Sequence, residues 1–364
     1  MSCEVLCVVG ARPNFMKIAP IMTAFAARPI DALLVHTGQH YDASMSDSFF
    51  EQLGIPRPHV NLEVGSGTHA VQTAEVMRAF EPVLDAEAPR AVLVVGDVNS
   101  TIACALVAAK KGVPVIHVEA GLRSFDRRMP EEINRVLTDQ ISDLLFTTER
   151  GALDNLRREG IDPKRVHLVG NVMIDTLRRN LERAIPVEQT LGDRPAAGYA
   201  VLTLHRPSNV DDRDTLAGLL DAVGRIARRL PVIFPIHPRT RAAAERLGLA
   251  ARLEQAGIRL LPPLGYLEML GLTREATLVL TDSGGLQEET TALGVPCITL
   301  RENTERPVTL SEGTNSLTGP DPEKILQCFE DILSCGGKRG RIPEYWDGRA
   351  SERIAEILRD WLDA

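Results

Sequence analysis

The chain has 364 residues, of which 44% are apolar and 25% are charged, and its formal net charge is −8. This length favours two domains of ordinary size, and the composition is that of a globular protein. The negative charge argues against non-specific nucleic-acid binding, and no apolar run reaches the roughly 18 residues of a membrane span.

The first residues and the cysteines predict a cytoplasmic protein. The opening Met1-Ser2-Cys3-Glu4 leads directly into an apolar run and lacks the basic and apolar regions of a signal peptide. The six cysteines are scattered without a CxxC pair. Cysteines in apolar contexts are typically reduced core residues, so we expect neither disulfides nor structural zinc.

Short apolar runs alternate with segments of helical periodicity along nearly the whole chain. Most of these runs are uninterrupted rather than alternating, which is typical of parallel strands covered by helices on both faces. The fold prediction is therefore α/β, with two Rossmann-like doubly wound domains that face a cleft. The predicted strands are 5–9, 32–37, 91–95, 115–118, 144–148, 166–169, 199–204, 232–236, 259–261, 277–281 and 297–300.

A glycine- and proline-containing segment, 192–198, has linker composition, and the strand pattern restarts after it. We predict a first domain over 1–175 and a second domain over 176–348. The last segment, 349–364, has helical periodicity and is predicted to pack back on the first domain. Ligands of open parallel sheets bind beyond the carboxyl ends of the strands, which is where the polar residues described next occur.

The first strand is followed by a loop with two cations, Arg12 and Lys17. The loop is no dinucleotide fingerprint, because GxGxxG is absent. Both cations can face an anionic ligand, although a solvated arginine and a lysine with a buried stem are an equally ordinary interpretation.

Three carboxylates follow in the first half of the chain: Asp97, Glu119 and Glu131. Glu119 directly ends an apolar strand and precedes Ala-Gly, so it is half buried at the sheet edge and suited to proton transfer. Glu131 is open to a second interpretation, as a carboxylate that favours the positive end of a helix, which is what we expect of Glu132.

The second domain begins with His205-Arg206-Pro207 at the end of a strand, and His237 repeats this signal more weakly one strand later. A single histidine is more often structural, but a His-Arg pair near a phosphate site favours a role at a leaving group. Arg306, in Thr304–Pro307, supplies a further cation.

The run 281–289, Thr-Asp-Ser-Gly-Gly-Leu-Gln-Glu-Glu, lies between an apolar strand and a helix over 286–293. Two glycines at such a turn let a phosphate approach the backbone at the positive end of the helix. Ser283, Gly284 and Gly285 are therefore candidate diphosphate ligands, and Glu289 is a candidate acceptor for a ribose diol. A plain Gly-Gly turn with Ser283 as N-cap is the competing interpretation.

Two other kinds of site fit the sequence less well. A metal site could draw on His40, Asp97, His117 and Glu119, but no HExxH or similar spacing is present. A serine-hydrolase triad lacks its GxSxG turn.

Taken together, these motifs resemble the non-hydrolysing UDP-N-acetylglucosamine 2-epimerases. The Gly-Ser-Arg-Ala-Glu-Tyr-like opening of the hydrolysing branch is absent. The matching segments are 10–13, 37–40, 96–97, 117–123, 130–132, 205–206, 281–289 and 304–307.

The resemblance implies a glycosyltransferase-B-like fold, a homodimer, and reversible inversion at C2 without NAD, metal or any other cofactor. The family eliminates UDP to leave a 2-acetamidoglucal and then adds UDP back after protonation of the opposite face. Carried over by motif, Asp97, Glu119 and Glu131 form the acid/base group. The remaining assignments are His205 and Arg12 at the leaving phosphate with Lys17, Ser283, Gly284 and Gly285 at the diphosphate, Glu289 at the ribose, and Arg306 at the sugar or phosphate.

Two departures from many relatives leave the substrate open: the run at 39–42, and His205-Arg206-Pro207-Ser208-Asn209 in place of His-Arg-Arg-Glu. The Gln39-His40-Tyr41-Asp42 run differs from the Gln-His-Arg of many bacterial relatives, which puts allosteric activation by a second UDP-sugar in doubt. That run, with Met45-Ser46 and Phe49-Phe50, is similar to epimerases of UDP-2,3-diacetamido-glucuronic acid. Thr304–Pro307 resembles the N-acetylglucosamine enzymes, which we favour. A glycosyltransferase or a non-catalytic UDP-sugar sensor are the rival classes.

Overall fold

The computed structural model describes residues 3–38, 54 and 57–364, with the backbone alone at Arg12. The chain divides into two compact units. The first comprises Met1–Arg179 together with Glu344–Ala364, and the second comprises Asn180–Pro343.

The first unit contains a parallel sheet in the order β3-β2-β1-β4-β5-β6-β7. Every residue of β1, β4 and β5 is buried, as expected for strands that are covered on both faces. The strands are β1 Val5–Val9, β2 Ala32–His36, β3 Val60–Asn61, β4 Ala91–Val95, β5 Val115–Ala120, β6 Leu144–Thr147 and β7 Val166–Leu168.

Helices connect these strands. They are α1 Arg12–Ala26, α2 His69–Glu87, α3 Asn99–Lys110, α4 Pro130–Gln140, α5 Arg150–Arg158 and α6 Val172–Asn180, with a short 3-10 turn at Pro163–Arg165. The final helix of the chain, Ala350–Asp363, belongs to this unit and packs against α1. Asp175 fixes its start, because its carboxylate accepts hydrogen bonds from the backbone N–H groups of Ala350 (3.0 Å) and Ser351 (2.7 Å).

The second unit repeats the same plan with a parallel sheet in the order β10-β9-β8-β11-β12-β13. The strands are β8 Ala200–Thr203, β9 Val232–Pro235, β10 Arg259–Leu261, β11 Leu278–Thr281, β12 Cys297–Thr299 and β13 Asn315–Leu317. In each unit the first strand lies between the second and the fourth, which is the doubly wound order. The predicted α/β class with two such sheets is confirmed.

The helices of the second unit, in chain order, are α7 Val187–Leu191, α8 Pro207–Val210, α9 Arg213–Ala227, α10 Pro238–Arg246, α11 Ala250–Gln255, α12 Tyr266–Glu275, α13 Gly284–Leu293, α14 Pro307–Ser311 and α15 Pro322–Cys335. A 3-10 turn at Leu181–Arg183 precedes them, and the final helix of the first unit becomes α16. No helix of the described residues is both long and apolar enough to cross a membrane.

Two strands were not predicted, β3 and β13. They have two and three residues and form the outermost strands of their sheets, where they pair on one side only. Neither forms an uninterrupted apolar run, because Asn61, Asn315 and Ser316 interrupt them. The helix after the Ser-Gly-Gly turn also begins earlier than predicted, at Gly284.

Candidate active site

Several candidate residues follow the strands that flank the reversal of strand order in each sheet, and Glu119 and Arg306 lie at or after the ends of the neighbouring strands β5 and β12. In the first unit this reversal lies between β1 and β4, and in the second between β8 and β11. Helices leave the sheet in opposite directions there, so the strand ends border a crevice in which ligands of this fold class bind. Each unit therefore places its polar residues where its own topology predicts a ligand.

Glu119 has an unusual backbone for a strand residue. Its φ is +74°, in the left-handed region, and the pairing of β5 with β6 shifts register between Val118 and Ala120. A non-glycine residue held in this conformation costs about 1–3 kcal/mol, and such strain clusters at functional sites. The bulge ends the regular ladder at Glu119, whose carboxylate forms an ion pair with Lys17.

This ion pair is almost completely buried, with the two side chains 5% and 7% exposed. It lies against Gly96, the residue that follows β4. A Cβ on Gly96 would come within 2.8 Å of the Lys17 ammonium and 3.3 Å of a Glu119 oxygen, and its φ is +68°. Glycine is needed there for both reasons, so the turn after β4 is built closely around the pair.

Asp97, the next residue, is held from two sides. Its Oδ2 accepts hydrogen bonds from Nε (2.9 Å) and Nη2 (2.6 Å) of Arg135, and the Asn134 amide donates to its backbone carbonyl (2.9 Å). Both partners lie on α4, so this helix orients the turn. The Asp97 side chain keeps an exposed fraction of 24%. A ligand in the crevice can therefore reach it.

The two adjacent glutamates at the start of α4 have different surroundings. Glu132 is buried, accepts the backbone N–H groups of Ser124 (2.9 Å) and Phe125 (2.8 Å), and pairs with Arg135. It therefore organises the preceding loop as well as occupying the first turn of the helix. Glu131 is partly exposed and has no hydrogen-bond or ion-pair partner among the described residues. Among the described residues, the Glu131 carboxylate therefore has no structural role that would prevent it from contacting a ligand.

A buried hydrogen-bond network lies beneath these carboxylates. Asp139 accepts from Nδ1 of His117 (2.6 Å), from Arg123 (2.7 Å) and from the backbone N–H of Gly121 (3.0 Å). His117 Nε2 contacts the carbonyl of Gly96 (2.8 Å). The network connects the ends of β4 and β5, which carry Asp97 and Glu119.

Both ring nitrogens of His117 are thus engaged with the protein, which disfavours it as a metal ligand. Across residues 3–38, 54 and 57–364, no group of three or more His, Cys, Asp or Glu side chains is arranged to hold a metal ion. His40 and the whole 39–53 segment, which includes the Gln39-His40-Tyr41-Asp42 run, lie outside the described residues. Arg12 begins α1, and nothing is described of its side chain.

In the second unit, α13 begins directly after β11 at the Ser-Gly-Gly turn. Ser283 occupies the N-cap position, but its hydroxyl makes no capping hydrogen bond to the helix. Gly284 and Gly285 form the first turn, whose N–H groups have no partner within the helix. This arrangement favours an anion-binding turn over a plain serine-capped one.

Arg306 lies against this turn. A Cβ on Gly284 would come within 2.5 Å of the Arg306 guanidinium, so a side chain there would displace that guanidinium. Arg306 is itself buried and forms ion pairs with Glu288 (Nε to Oε1, 2.6 Å) and Glu305. It supports the start of α13, and its guanidinium is next to the backbone that a phosphate would approach.

His205 follows β8 and faces the same strand end. Its Nδ1 lies 2.8 Å from Oδ1 of Asp282, and its side chain is 41% exposed. The His237 ring, after β9, has its centroid 5.8 Å from that of His205. Nδ1 of His237 accepts the backbone N–H of Arg239 (3.1 Å), so His237 caps α10.

Glu289 lies in the second turn of α13, fully surrounded by protein. Burial raises its pKa, the Tyr266 hydroxyl lowers it and the charge of Glu288 raises it, and together these effects move it from 4.5 to about 8. Burial also raises the pKa of the Tyr266 hydroxyl. Without ligand, Glu289 therefore holds a proton at neutral pH, and hydroxyl groups that donate to it favour the carboxylate.

Replacement of Glu289 by glutamine is expected to remove a pH dependence of stability. The folded-state pKa is above the unfolded value, so the stabilising contribution is complete below about pH 4.5 and is lost as pH rises towards 8. We expect the Glu289→Gln variant to lose less stability than the wild type over this window, by on the order of a few kcal/mol. Urea unfolding at several pH values measures the difference.

The adjacent Glu288→Gln variant is the control, because Glu288 is ionically paired with Arg306 and its loss should lower stability. Parallel stability curves for the wild type and Glu289→Gln would contradict a protonated Glu289.

The partners that hold these candidates in place were not predicted from the sequence. Asp139, Arg135 and Asp282 were not singled out, because each acts on a residue far away in the chain: 22 positions for Asp139 with His117, 38 for Arg135 with Asp97, and 77 for Asp282 with the backbone N–H of His205. The one available signal was Asp282 itself, a carboxylate at the end of a buried strand beside the Ser-Gly-Gly turn.

Two doubly wound sheets, carboxylates at one strand-order reversal and a glycine turn at the other define an α/β protein of nucleotide-binding type. A family model for UDP-N-acetylglucosamine 2-epimerase matches residues 23–359. The match covers most of the chain, which therefore belongs to the UDP-N-acetylglucosamine 2-epimerase family.

Individual relatives are similar over nearly their full lengths. The UDP-N-acetylglucosamine 2-epimerase of Methanococcus maripaludis is 43% identical, over 96% of this chain and 97% of its own. The UDP-2,3-diacetamido-2,3-dideoxy-D-glucuronate 2-epimerase of Pseudomonas aeruginosa is 44% identical, over 98% and 99%. The crystal structure of the Methanocaldococcus jannaschii UDP-GlcNAc 2-epimerase in complex with UDP-GlcNAc and UDP matches with a TM-score of 0.91 at 43% identity, covering 98% of this chain and 99% of that one.

Proposed function

We propose that this protein is an isomerase that interconverts UDP-N-acetylglucosamine and UDP-N-acetylmannosamine by inversion at C2. The observation that carries the proposal is the buried Glu119–Lys17 pair on a bulged strand end of the first unit. A carboxylate held this way, in a strained backbone, is typical of a proton-transfer group rather than of a solvated surface residue.

The proposed reaction needs a base, an acid and a held leaving group. A carboxylate removes the C2 proton, the C2–H electrons form the C1=C2 double bond, and the C1–O bond breaks with its electron pair staying on UDP. The reverse steps return a proton to the other face of C2 and rejoin UDP at C1. Asp97, Glu119 and Glu131 are the proposed acid/base group, and their individual roles are not divided further. The proposal requires no cofactor.

The second unit is proposed to hold UDP. The first turn of α13, with Ser283, Gly284 and Gly285, supplies N–H donors for the diphosphate, and Glu289 accepts hydrogen bonds from the ribose. His205 and Arg306 add donors beside that turn. From the first unit, Arg12 and Lys17 are proposed to compensate the negative charge of the leaving phosphate.

UDP-2,3-diacetamido-glucuronic acid remains the second candidate substrate. A relative with that activity is as similar to this chain as one that acts on UDP-N-acetylglucosamine, at 44% against 43% identity. Thr304–Pro307 favours N-acetylglucosamine, as argued from the motif. A glycosyltransferase is a weaker candidate, since it would need an acceptor and would not need three carboxylates in the first unit.

Offering the two UDP-sugars separately tests the choice. Chromatography of the nucleotide sugars should detect a C2 epimer from UDP-N-acetylglucosamine with the higher kcat/KM. A higher value for the diacetamido-uronate would reassign the substrate within the same reaction. UDP release that depends on an added acceptor sugar would favour a transferase.

We also propose that the chain forms a homodimer. Large apolar side chains are exposed on α4 and in the loop before it, with Phe125 73%, Leu137 50% and Ile133 43% exposed. Apolar groups clustered in one region of the chain are typical of a surface that another protein covers. Light scattering should give a mass twice the 39.8 kDa of one chain. The Leu137→Glu variant should give a lower mass, closer to that of a single chain.

The cytoplasm is the proposed location. All six cysteines are free thiols, and four of them, Cys3, Cys7, Cys104 and Cys297, are buried. Burial raises the pKa of the Cys3 thiol to about 11 and that of Cys297 to about 12, so these thiols are unreactive. Free cysteines without disulfides are typical of proteins in a reducing compartment, which supports the proposed cytoplasmic location.

A further inference from the structure

Four groups of three residues surround the Asp282 carboxylate: two side chains and two backbone N–H groups. Its Oδ1 lies 2.8 Å from Nδ1 of His205. Its Oδ2 accepts the backbone N–H groups of His205 and Arg206, each at 2.9 Å, and the side-chain amide of Asn209 at 3.2 Å. Asp282 has no measurable exposure. Oδ1 therefore lies within ion-pair distance of the imidazole, and Oδ2 holds the loop that carries it.

The carboxylate is charged in spite of its burial. Burial raises the pKa of Asp282, but the hydrogen bond and charge of His205, with the two backbone donors, lower it, and the net shift is downward. A purely structural clamp at this position needs only an acceptor for N–H groups. A buried negative charge 2.8 Å from Nδ1 of a partly exposed histidine goes beyond that need.

We propose that Asp282 is the positioning residue for His205: it keeps the hydrogen on Nδ1 and presents Nε2 to the phosphate of the bound nucleotide. The inference rests on the proposed function, in which His205 contacts the leaving diphosphate. Asp282 touches neither substrate nor reacting atoms and exchanges no proton. Its negative charge compensates the imidazolium, whose Nε2–H donates to the phosphate oxygen as the C1–O bond breaks.

The geometry predicts what an asparagine would do at this position. Two backbone N–H groups and the Asn209 amide hold the Oδ2 site as an acceptor. The amide oxygen of Asp282→Asn must therefore occupy that site, and its NH2 group faces Nδ1. Nδ1 must then accept, so the hydrogen of the neutral imidazole moves to Nε2 and the charged donor is lost.

Nitrogen-15 NMR of the imidazole and steady-state kinetics test this inference together. In alkaline buffer, wild-type His205 should carry its hydrogen on Nδ1 and the Asp282→Asn variant on Nε2. We expect kcat to fall about 100-fold while KM changes only a few-fold, since the interaction matters most as the phosphate departs. In a His205→Gln background, adding Asp282→Asn should lower kcat by no more than about twofold.

Asn209→Ala is the matched control. It removes one donor to Asp282 and a hydrogen bond to the carbonyl of Leu300 (2.8 Å) without touching His205. It should lower the melting temperature while kcat stays within a few-fold of wild type. An Nδ1–H tautomer retained in Asp282→Asn, or a full additional loss of kcat in the His205→Gln background, would overturn the positioning role.

The outcomes separate this inference from the proposed function. The wild type could show the Nδ1–H tautomer, and the Asp282→Asn variant the Nε2–H tautomer, while the wild type epimerises neither UDP-sugar. That result would contradict the proposed reaction and would support only the control of the His205 tautomer by Asp282. An active wild type whose Asp282→Asn variant keeps its kcat sinks the positioning role alone.

Discussion

Glu119→Gln is expected to abolish turnover while leaving UDP binding intact. The amide keeps the size of the carboxylate and cannot take or return the C2 proton, so kcat should fall by about 10³-fold or more. Glu119 is not itself a proposed UDP ligand, most of these ligands lie on α13 of the second unit, and the variant keeps Lys17, the ion-pair partner that is proposed to act on the phosphate. The Kd for UDP, measured by calorimetry, should therefore change by no more than about twofold to threefold.

Glu75→Gln is a suitable control for charge removal in the same unit. Glu75 is 44% exposed and pairs with Arg78 on the surface of α2, so neither kcat nor UDP affinity should change. Undiminished kcat in Glu119→Gln would remove Glu119 from the acid/base group. Loss of UDP binding in that variant would indicate that the residue acts on ligand binding or folding.

Asp139→Asn is expected to destabilise the first unit by about 3–5 kcal/mol, because it removes the charge from a buried network. Asp139 holds both Arg123 and His117 in the interior. Loss of the charge leaves the Arg123 guanidinium poorly compensated and weakens the tie between β4 and β5. The free energy of unfolding, from urea titrations at neutral pH, measures the effect, and kcat should fall with it.

The pH dependence adds a second check. Burial raises the pKa of Asp139, but the charges and hydrogen bonds of His117 and Arg123 lower it more, so the net shift is below 3.8. The contribution is therefore present above the unfolded value and lost as pH falls through the folded one. The gap between wild type and variant should close in acid.

Glu159→Gln provides the comparison, since Glu159 is the other partner of Arg123 and is 25% exposed. Its loss should cost about 1 kcal/mol or less. An equal decrease in the free energy of unfolding for Asp139→Asn and Glu159→Gln would contradict the larger structural role of Asp139.

The fold was largely accessible from the sequence because its strands are buried on both faces. Runs such as Val5–Val9 and Ala91–Val95 contain only apolar residues, so they predict central parallel strands without reference to the rest of the chain. The outer strands Val60–Asn61 and Asn315–Leu317 carry no such signal. Their pairing depends on neighbours that the chain places far away in sequence.

The candidate site was accessible for the residues that end strands or begin helices, since the topology rule alone places Asp97, Glu119 and His205 at ligand-binding edges. The contacts that support these residues could not be predicted from the sequence. The Glu119–Lys17 pair joins residues 102 positions apart, and the left-handed backbone of Glu119 has no sequence signature in a non-glycine residue. Such features depend on tertiary packing, which no local pattern encodes.

Proton NMR of UDP-N-acetylglucosamine in D2O with EDTA tests the proposed C2 chemistry most directly. We expect growth of the manno epimer with deuterium at C2, because the C2–H bond breaks and the new hydrogen comes from a group that exchanges with solvent. A manno epimer that retains its original C2 hydrogen would contradict elimination and re-addition. Absence of both epimer and C2 exchange, with this sugar and with the diacetamido-uronate, would contradict the epimerase assignment.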